Sequence, residues 1–479
     1  MDKLPDSSPQ PQTKLAVSTI TTARAPSIDI AVMGAIPALT LADLLFRNPG
    51  LVAGVAFVTL CFLFRHLGHV ARPLRRTSVV LVAVTVVLLP LLSSPIATLE
   101  RGVRIGALIA SLLVTINLLS RSASRVPQVR ILLQRLYHVH PSQRYGVLSM
   151  ASQFFGGLLG LAGISMMMES AAQQKDLADS EKIAAFSAVT RGYAALSLWS
   201  PMYSNMSIVL AMYEGASWAG VLPVALGITT MFIVLGVVLD RFAISRSGVS
   251  ADPSVVNVGE LVRSGWPVLL AMLGFVSLMV VTSRWLAMPI SAVIISIAPA
   301  AAWLLNARLQ GGGLGGIHAA TIQLGQDMSS FRGMAGEVMI FIASGCAGTV
   351  IGNAIPPEWT AAVGASVAGS PALACLTVSS AIVLMSASAM HPMLSSVIVG
   401  ASLGPALLGL PVLVHISAVL IGWGLAIIVT PFSVVSALAS RWSGIPVIVI
   451  SLRANAVFVL LALGSSASVL GLVARAIGN

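Results

Sequence analysis

Two short stretches hold the residue types from which a polar site could be built inside an otherwise apolar chain. Trp199-Ser200-Pro201-Met202-Tyr203-Ser204-Asn205 stands against Met390-His391-Pro392-Met393-Leu394-Ser395-Ser396, each within a long hydrophobic run. Proline in a helix interior removes a backbone hydrogen bond and crowds the preceding turn, so both runs are predicted to kink or unwind near Pro201 and Pro392. In a bilayer the freed backbone groups must be met by side chains, water or a bound solute, and helices broken at corresponding places mark a transporter's binding site. Ser200, Ser204, Asn205, Ser395 and Ser396 offer hydrogen bonds within about one turn of the breaks. His391 adds an imidazole able to exchange a proton near neutral pH, or alternatively a core histidine bonded to a carbonyl that Pro392 frees.

Charge is available from few other places. Arg191 precedes Pro201 by about three turns, where it either meets an anionic solute bidentately or snorkels to the interface. Asn353 closes a glycine-rich segment and could offer its amide to a solute or cation at a hairpin tip. No Walker A, GxSxG, HExxH or Rossmann fingerprint occurs, and Cys61, Cys346 and Cys375 have no metal-ligand or disulfide spacing. No metal or organic cofactor is expected; a coupling proton or sodium ion is.

The elements that must position these residues follow from composition. Of the 479 residues 57% are hydrophobic and 9% charged, with a mean hydropathy of +0.94. Soluble domains carry about 25% charged residues, so this is an all-α polytopic membrane protein rather than a cytosolic enzyme. Apolar runs at about 28–46, 50–64, 78–98, 105–120, 145–171, 183–214, 216–239, 266–283, 286–306, 338–356, 372–404, 409–432 and 454–474 predict about 11–13 transmembrane helices. The net charge of +11 lies in short connecting loops, as the positive-inside rule requires, which argues against a nucleic-acid partner. Residues 1–26 read as a disordered tail on the cytoplasmic side.

Two stretches, 121–144 and 307–337, are amphipathic and suited to helices lying in the interface. Each leads into a glycine-rich segment, at 153–163 and 341–353. These either pack closely against neighbouring helices or form hairpins that enter the membrane and turn back. With Leu222-Pro223-Val224 answering Leu410-Pro411-Val412, the order predicts a duplication, with transmembrane repeats at 27–246 and 264–474.

Tandem units of interfacial helix, glycine-rich hairpin and broken helix resemble the ion transporter superfamily, which includes divalent-anion symporters, arsenite permeases and the membrane subunits of TRAP transporters. The similarity covers roughly 120–240 and 307–432. It implies a secondary active permease, a symporter of a small anionic organic solute, in a bacterial inner membrane, with re-entrant hairpins and discontinuous helices around the site. Ser-Asn-Thr triplets of the divalent-anion symporters are absent from the hairpins here, so sodium is not singled out over protons. A homodimer is the expected assembly. A non-transporting assembly or regulatory subunit, or an intramembrane enzyme built on His391, are the other functions open at this point.

Overall fold

The computed structural model describes residues 27–174, 179–247, 257–388 and 390–478. The predicted tail at 1–26 lies outside them. Every regular element among the described residues is helical, and ten stretches are long and apolar enough to cross a membrane. Three shorter apolar helices, Ile30–Phe46, Pro371–Ala387 and Pro392–Ser402, accompany them.

In chain order the helices are α1 (Ser27–Phe46), α2 (Pro49–His66), α3 (Arg72–Leu88), α4 (Pro95–Ser124), α5 (Pro127–Arg135), α6 (Pro141–Ala172), α7 (Asp179–Trp199), α8 (Ser204–Ala211) and α9 (Trp218–Ser247). They continue with α10 (Val258–Trp285), α11 (Ile290–Leu309), α12 (Gly313–Ser329), α13 (Ala335–Ala354) and α14 (Pro357–Val367). The last five are α15 (Pro371–Ala387), α16 (Pro392–Ser402), α17 (Val412–Val429), α18 (Val434–Ser443) and α19 (Ala454–Gly478).

Proline does more to start these helices than to break them. It occupies the first or second position of α2, α3, α4, α5, α6, α14, α15 and α16, where its missing N–H is no loss and its fixed φ suits the helix. Pro392 belongs to this class. The helix expected to run through 372–404 with a mid-span break is instead two helices, α15 and α16, folded back on each other. Ser386 Oγ donates to Ser395 Oγ across the turn at 3.1 Å, and the far end of α16 reaches the start of α17, where His415 Nε2 lies 2.6 Å from the Leu403 carbonyl. Meanwhile α15 runs parallel to α17, with Ser379 donating to the Ala418 carbonyl and Gly422 packed on Ile382. Thus α15 and α16 form a re-entrant hairpin, with Ser388 and His391 on either side of its tip.

A second hairpin is hidden in α6. Gly160 has φ 55° and ψ −139°, and beyond it the chain doubles back, bringing Gly163 against the carbonyl of Phe155, eight residues earlier. In a straight helix those residues would stand about 12 Å apart. A Cβ at Gly160 meets nothing within 4 Å, so alanine there would be opposed by backbone conformation alone. Gly160→Ala should therefore lower stability by about 1–3 kcal/mol, read as a lower denaturation midpoint in detergent, with no change in packing volume.

Helices α4 and α13 cross closely in antiparallel fashion, Gly102 packing on Cys346 and Gly106 on Ile342. The C-terminal end of α4, with Arg121 and the capping Arg125, therefore shares a face with the start of α13, where Gly336 meets Val70 and Leu74. This basic face is one end of the bundle. After α4 come a short helix (α5), a hairpin (α6), and α7, a break and α8, then α9; after α13 come α14, the hairpin α15/α16, and α17, a break and α18, then α19. Because α4 and α13 run in opposite directions, the two series are inverted with respect to one another.

This order corrects the expected pairing. The glycine-rich segment 341–353 is not a hairpin but the continuous helix α13, its glycines spent on contacts with α4 and α16. Pro201 has its counterpart in Pro431, not Pro392. Leu222-Pro223 lies inside α9, whereas Leu410-Pro411 caps α17, so that match is not a correspondence either.

Candidate functional site

At the first break, Pro201 leaves the Ser197 carbonyl four residues earlier without its helical donor. Asn205 Nδ2, in the first turn of α8, supplies the missing bond at 3.1 Å. The Trp199 carbonyl is likewise released, since the Tyr203 N–H bonds Ser200 instead, and Trp218 of α9 donates its indole N–H to it at 2.7 Å. At the second break Pro431 orphans the Ile427 carbonyl, and Ser436, in the first turn of α18, donates to it at 3.4 Å. The Phe432 N–H turns to Thr430 Oγ1, and the freed Ile428 carbonyl accepts from Asn455 Nδ2, at the start of α19, at 3.3 Å. In each break one carbonyl is met from the next half-helix and one from the helix after it. Both breaks are thus held open by the protein's own side chains, with buried polar groups satisfied as a low-dielectric interior demands.

The two broken helices cross beside these breaks. A Cβ on Gly424 of α17 would lie 2.6 Å from Ser197 Oγ and 2.8 Å from the Ala194 carbonyl of α7. Pro201 lies four residues beyond Ser197 and Pro431 seven beyond Gly424, on opposite sides of the crossing, so the breaks are separated by about 17 Å along the helix axes.

Of the residues singled out in the sequence, Ser200, Ser204 and Asn205 are gathered at the first break. Ser200 is buried with its Oγ beside Gly157 of the α6 hairpin, and Ser204 opens α8, half-buried. His391, Ser395 and Ser396 gather at the tip of the α15/α16 hairpin. His391 caps α16, its Nδ1 accepting from the Met393 N–H at 3.2 Å, with the ring edge-on to Phe341 of α13 at 5.6 Å. Ser396 Oγ donates to the Pro392 carbonyl and Ser395 Oγ to that of His391. No hydrogen bond or ring contact among the described residues joins this group to the first break. Asn353 is exposed at the end of α13, on the wall of a separate cavity. Arg191 is buried and turned to α19: its Nε donates to Asn455 Oδ1 at 2.8 Å and its Nη2 to the Ala454 carbonyl at 2.7 Å, and its guanidinium lies 4.7 Å over the Phe458 ring.

Several functional candidates escaped the sequence reading. Thr430-Pro431-Phe432-Ser433 repeats the hydroxyl–proline pair of Ser200-Pro201, a signal present in the sequence but outweighed by the longer likeness around Pro392. Gln153 of α6 carried no signal at all. Its Oε1 accepts from the Trp199 indole at 2.8 Å, next to the first break, while its Nε2 is buried without a hydrogen-bond partner among the described residues. With the carbonyls capped, this amide is an unspent donor at that break.

No protein-family model and no curated protein matches the sequence. Solved structures do match the fold: the YdaH transporter of Alcanivorax borkumensis, whose crystal structure reveals an unusual topology, aligns with a TM-score of 0.54. The fold is one that a membrane transporter uses. The alignment covers 82% of this chain and 97% of that one at 15% identity, which establishes shared architecture and nothing finer.

Proposed function

We propose that the protein is a secondary active transporter of a small anionic organic solute, a proton- or sodium-coupled member of the ion transporter superfamily. The observation that carries this reading is the pair of inverted series, each with a hairpin followed by a helix broken beneath a hydroxyl–proline pair. Such an arrangement brings half-helix N-termini, here those of α8 and α18, to the interior of the bundle, where their dipoles favour negative charge. Gln153 Nε2 and Ser200 would hydrogen-bond the solute at the first break. Ser204 extends that surface, and His391 with Ser395 and Ser396 at the second hairpin tip would serve as a proton relay. With the basic face in the cytoplasm, as the positive-inside rule favours, the α6 hairpin enters from the cytoplasmic side and α15/α16 from the other.

Purified protein in liposomes tests this. Uptake of a labelled carboxylate or sulfonate should appear under an imposed proton or sodium gradient, and Gln153→Ala should raise KM about tenfold, as expected for one lost hydrogen bond in a dry site. Absence of uptake for a broad panel of organic anions under both gradients would refute the proposal.

A further inference from the structure

A cavity of about 1070 Å³ opens at the end of the bundle opposite the basic face, between α1, α4, the α8–α9 turn and the α10–α11 turn. It is distinct from the breaks, though α8 links the two: Ser204 and Asn205 belong to the break, and Ser207, at the next half-turn, faces the cavity. Four arginines and three carboxylates line it, an excess of positive charge above apolar patches formed by Val52, Val55 and Leu108.

Two features mark a ligand position on this wall. Ser207 is 3% exposed, yet its Oγ has no hydrogen-bond partner among the described residues. A buried hydroxyl left unmet is costly, and a ligand oxygen is what would meet it. Arg104, on α4, directs Nε and Nη2 to the two oxygens of Asp43 at 3.0 and 3.3 Å and keeps the Nη1 amino group without a hydrogen bond among the described residues. Asp43 thus holds the guanidinium in the two-point manner in which a ligand carboxylate would, and the fork geometry of arginine suits that planar anion. Helix α8 packs on α4, so hydroxyl and guanidinium line one space.

We propose that this cavity is a binding site for small carboxylates with an apolar body, anchored on Arg104 and Ser207 and competing with Asp43 for the guanidinium. Its volume is just above the upper end of that of sites for small organic molecules, about 1,000 Å³. That the ligand is also the transported solute rests on the transporter reading; binding itself does not.

The test uses the full chain in phosphatidylcholine nanodiscs, whose headgroups offer no carboxylate. Ala211→Cys, exposed in the cavity wall, serves as a reporter on a Cys61→Ser, Cys346→Ala, Cys375→Ala background, and its labelling rate by a charged methanethiosulfonate is followed. Millimolar benzoate should slow labelling at least fivefold, and isosteric benzamide should not. Asp43→Asn, which releases the guanidinium, should lower the half-protecting benzoate concentration several-fold. Arg104→Gln should raise it at least tenfold, and Ser207→Ala about fivefold. A merely structural Asp43–Arg104 pair would leave benzoate protection unmoved or shift it equally in both variants. The proposal is overturned by a reporter that does not label, by labelling that benzoate does not slow, or by equal protection from benzamide. Protection with no uptake in liposomes would sink the transporter reading and leave this site standing.

Discussion

Replacing Gly424 by alanine should abolish solute uptake and lower the denaturation midpoint. The reason is the crossing of α7 and α17. The new Cβ would sit 2.6 Å from Ser197 Oγ and 2.8 Å from the Ala194 carbonyl, and the second of these is backbone that cannot rotate aside. Overpacking of a well-filled interior costs about 1–3 kcal/mol, with the upper end expected where a helix backbone has to move. Moving it is also what would disable function. Ser197 is the residue whose carbonyl Asn205 caps, so a shift of α7 at this point is transmitted into the first break one turn away. Ser197→Ala on top of Gly424→Ala removes the Oγ contact and leaves the carbonyl contact, so it should recover part of the midpoint and little of the uptake. Thermal denaturation in detergent and liposome uptake, measured on the same preparations, separate the two effects.

The same crossing shows where sequence reasoning reached and where it stopped. Fold class followed from composition, because a chain with 9% charged residues can satisfy itself only in lipid. The break at Pro201 was legible from proline together with the hydroxyl and amide side chains around it; proline alone does not decide it, since α9, α10 and α11 run on through Pro223, Pro267 and Pro299. Pro392 carries the same letter with the opposite role, and what decides between interior breaker and helix initiator is the fold-back fixed by Ser386 and Ser395, a tertiary fact. The two glycine-rich segments left hairpin and packing surface equally open, and each reading holds for one of them. Gly160 turns a hairpin; Gly345, Gly348 and Gly352 let α4 and α16 approach α13. Their spacing is alike, and the difference is the single positive φ. His415 takes its partners, Tyr213 Oη at 2.9 Å and the Leu403 carbonyl, from separate elements, a pairing that no local spacing displays.

Arg191 is expected to behave as a clamp between the two inverted series, with Arg191→Gln costing about 3 kcal/mol or more of stability. Its guanidinium is bonded to Asn455 Oδ1 and the Ala454 carbonyl, with Tyr145 Oη at 3.4 Å and Phe458 beneath it. Hydrogen bonds to a charged donor contribute about 1.5–3 kcal/mol each, and removing one side of a buried set leaves the acceptors unmet. The consequence is specific. Asn455 is oriented by Arg191 on one side and on the other donates to the Ile428 and Ile450 carbonyls at 3.3 and 3.0 Å, so losing the guanidinium frees the side chain that closes the second break. Arg191→Lys keeps the charge but replaces the planar fork with a single flexible ammonium, and should restore less than half of the lost stability. Had Arg191 been a solute contact, these variants would raise the KM for uptake and leave the denaturation midpoint in place. The geometry calls for the reverse: a midpoint that falls in the order wild type, lysine, glutamine, with KM of the residual uptake unchanged. A raised KM at constant midpoint would return Arg191 to the binding surface and show that the contact with α19 gives way when solute enters.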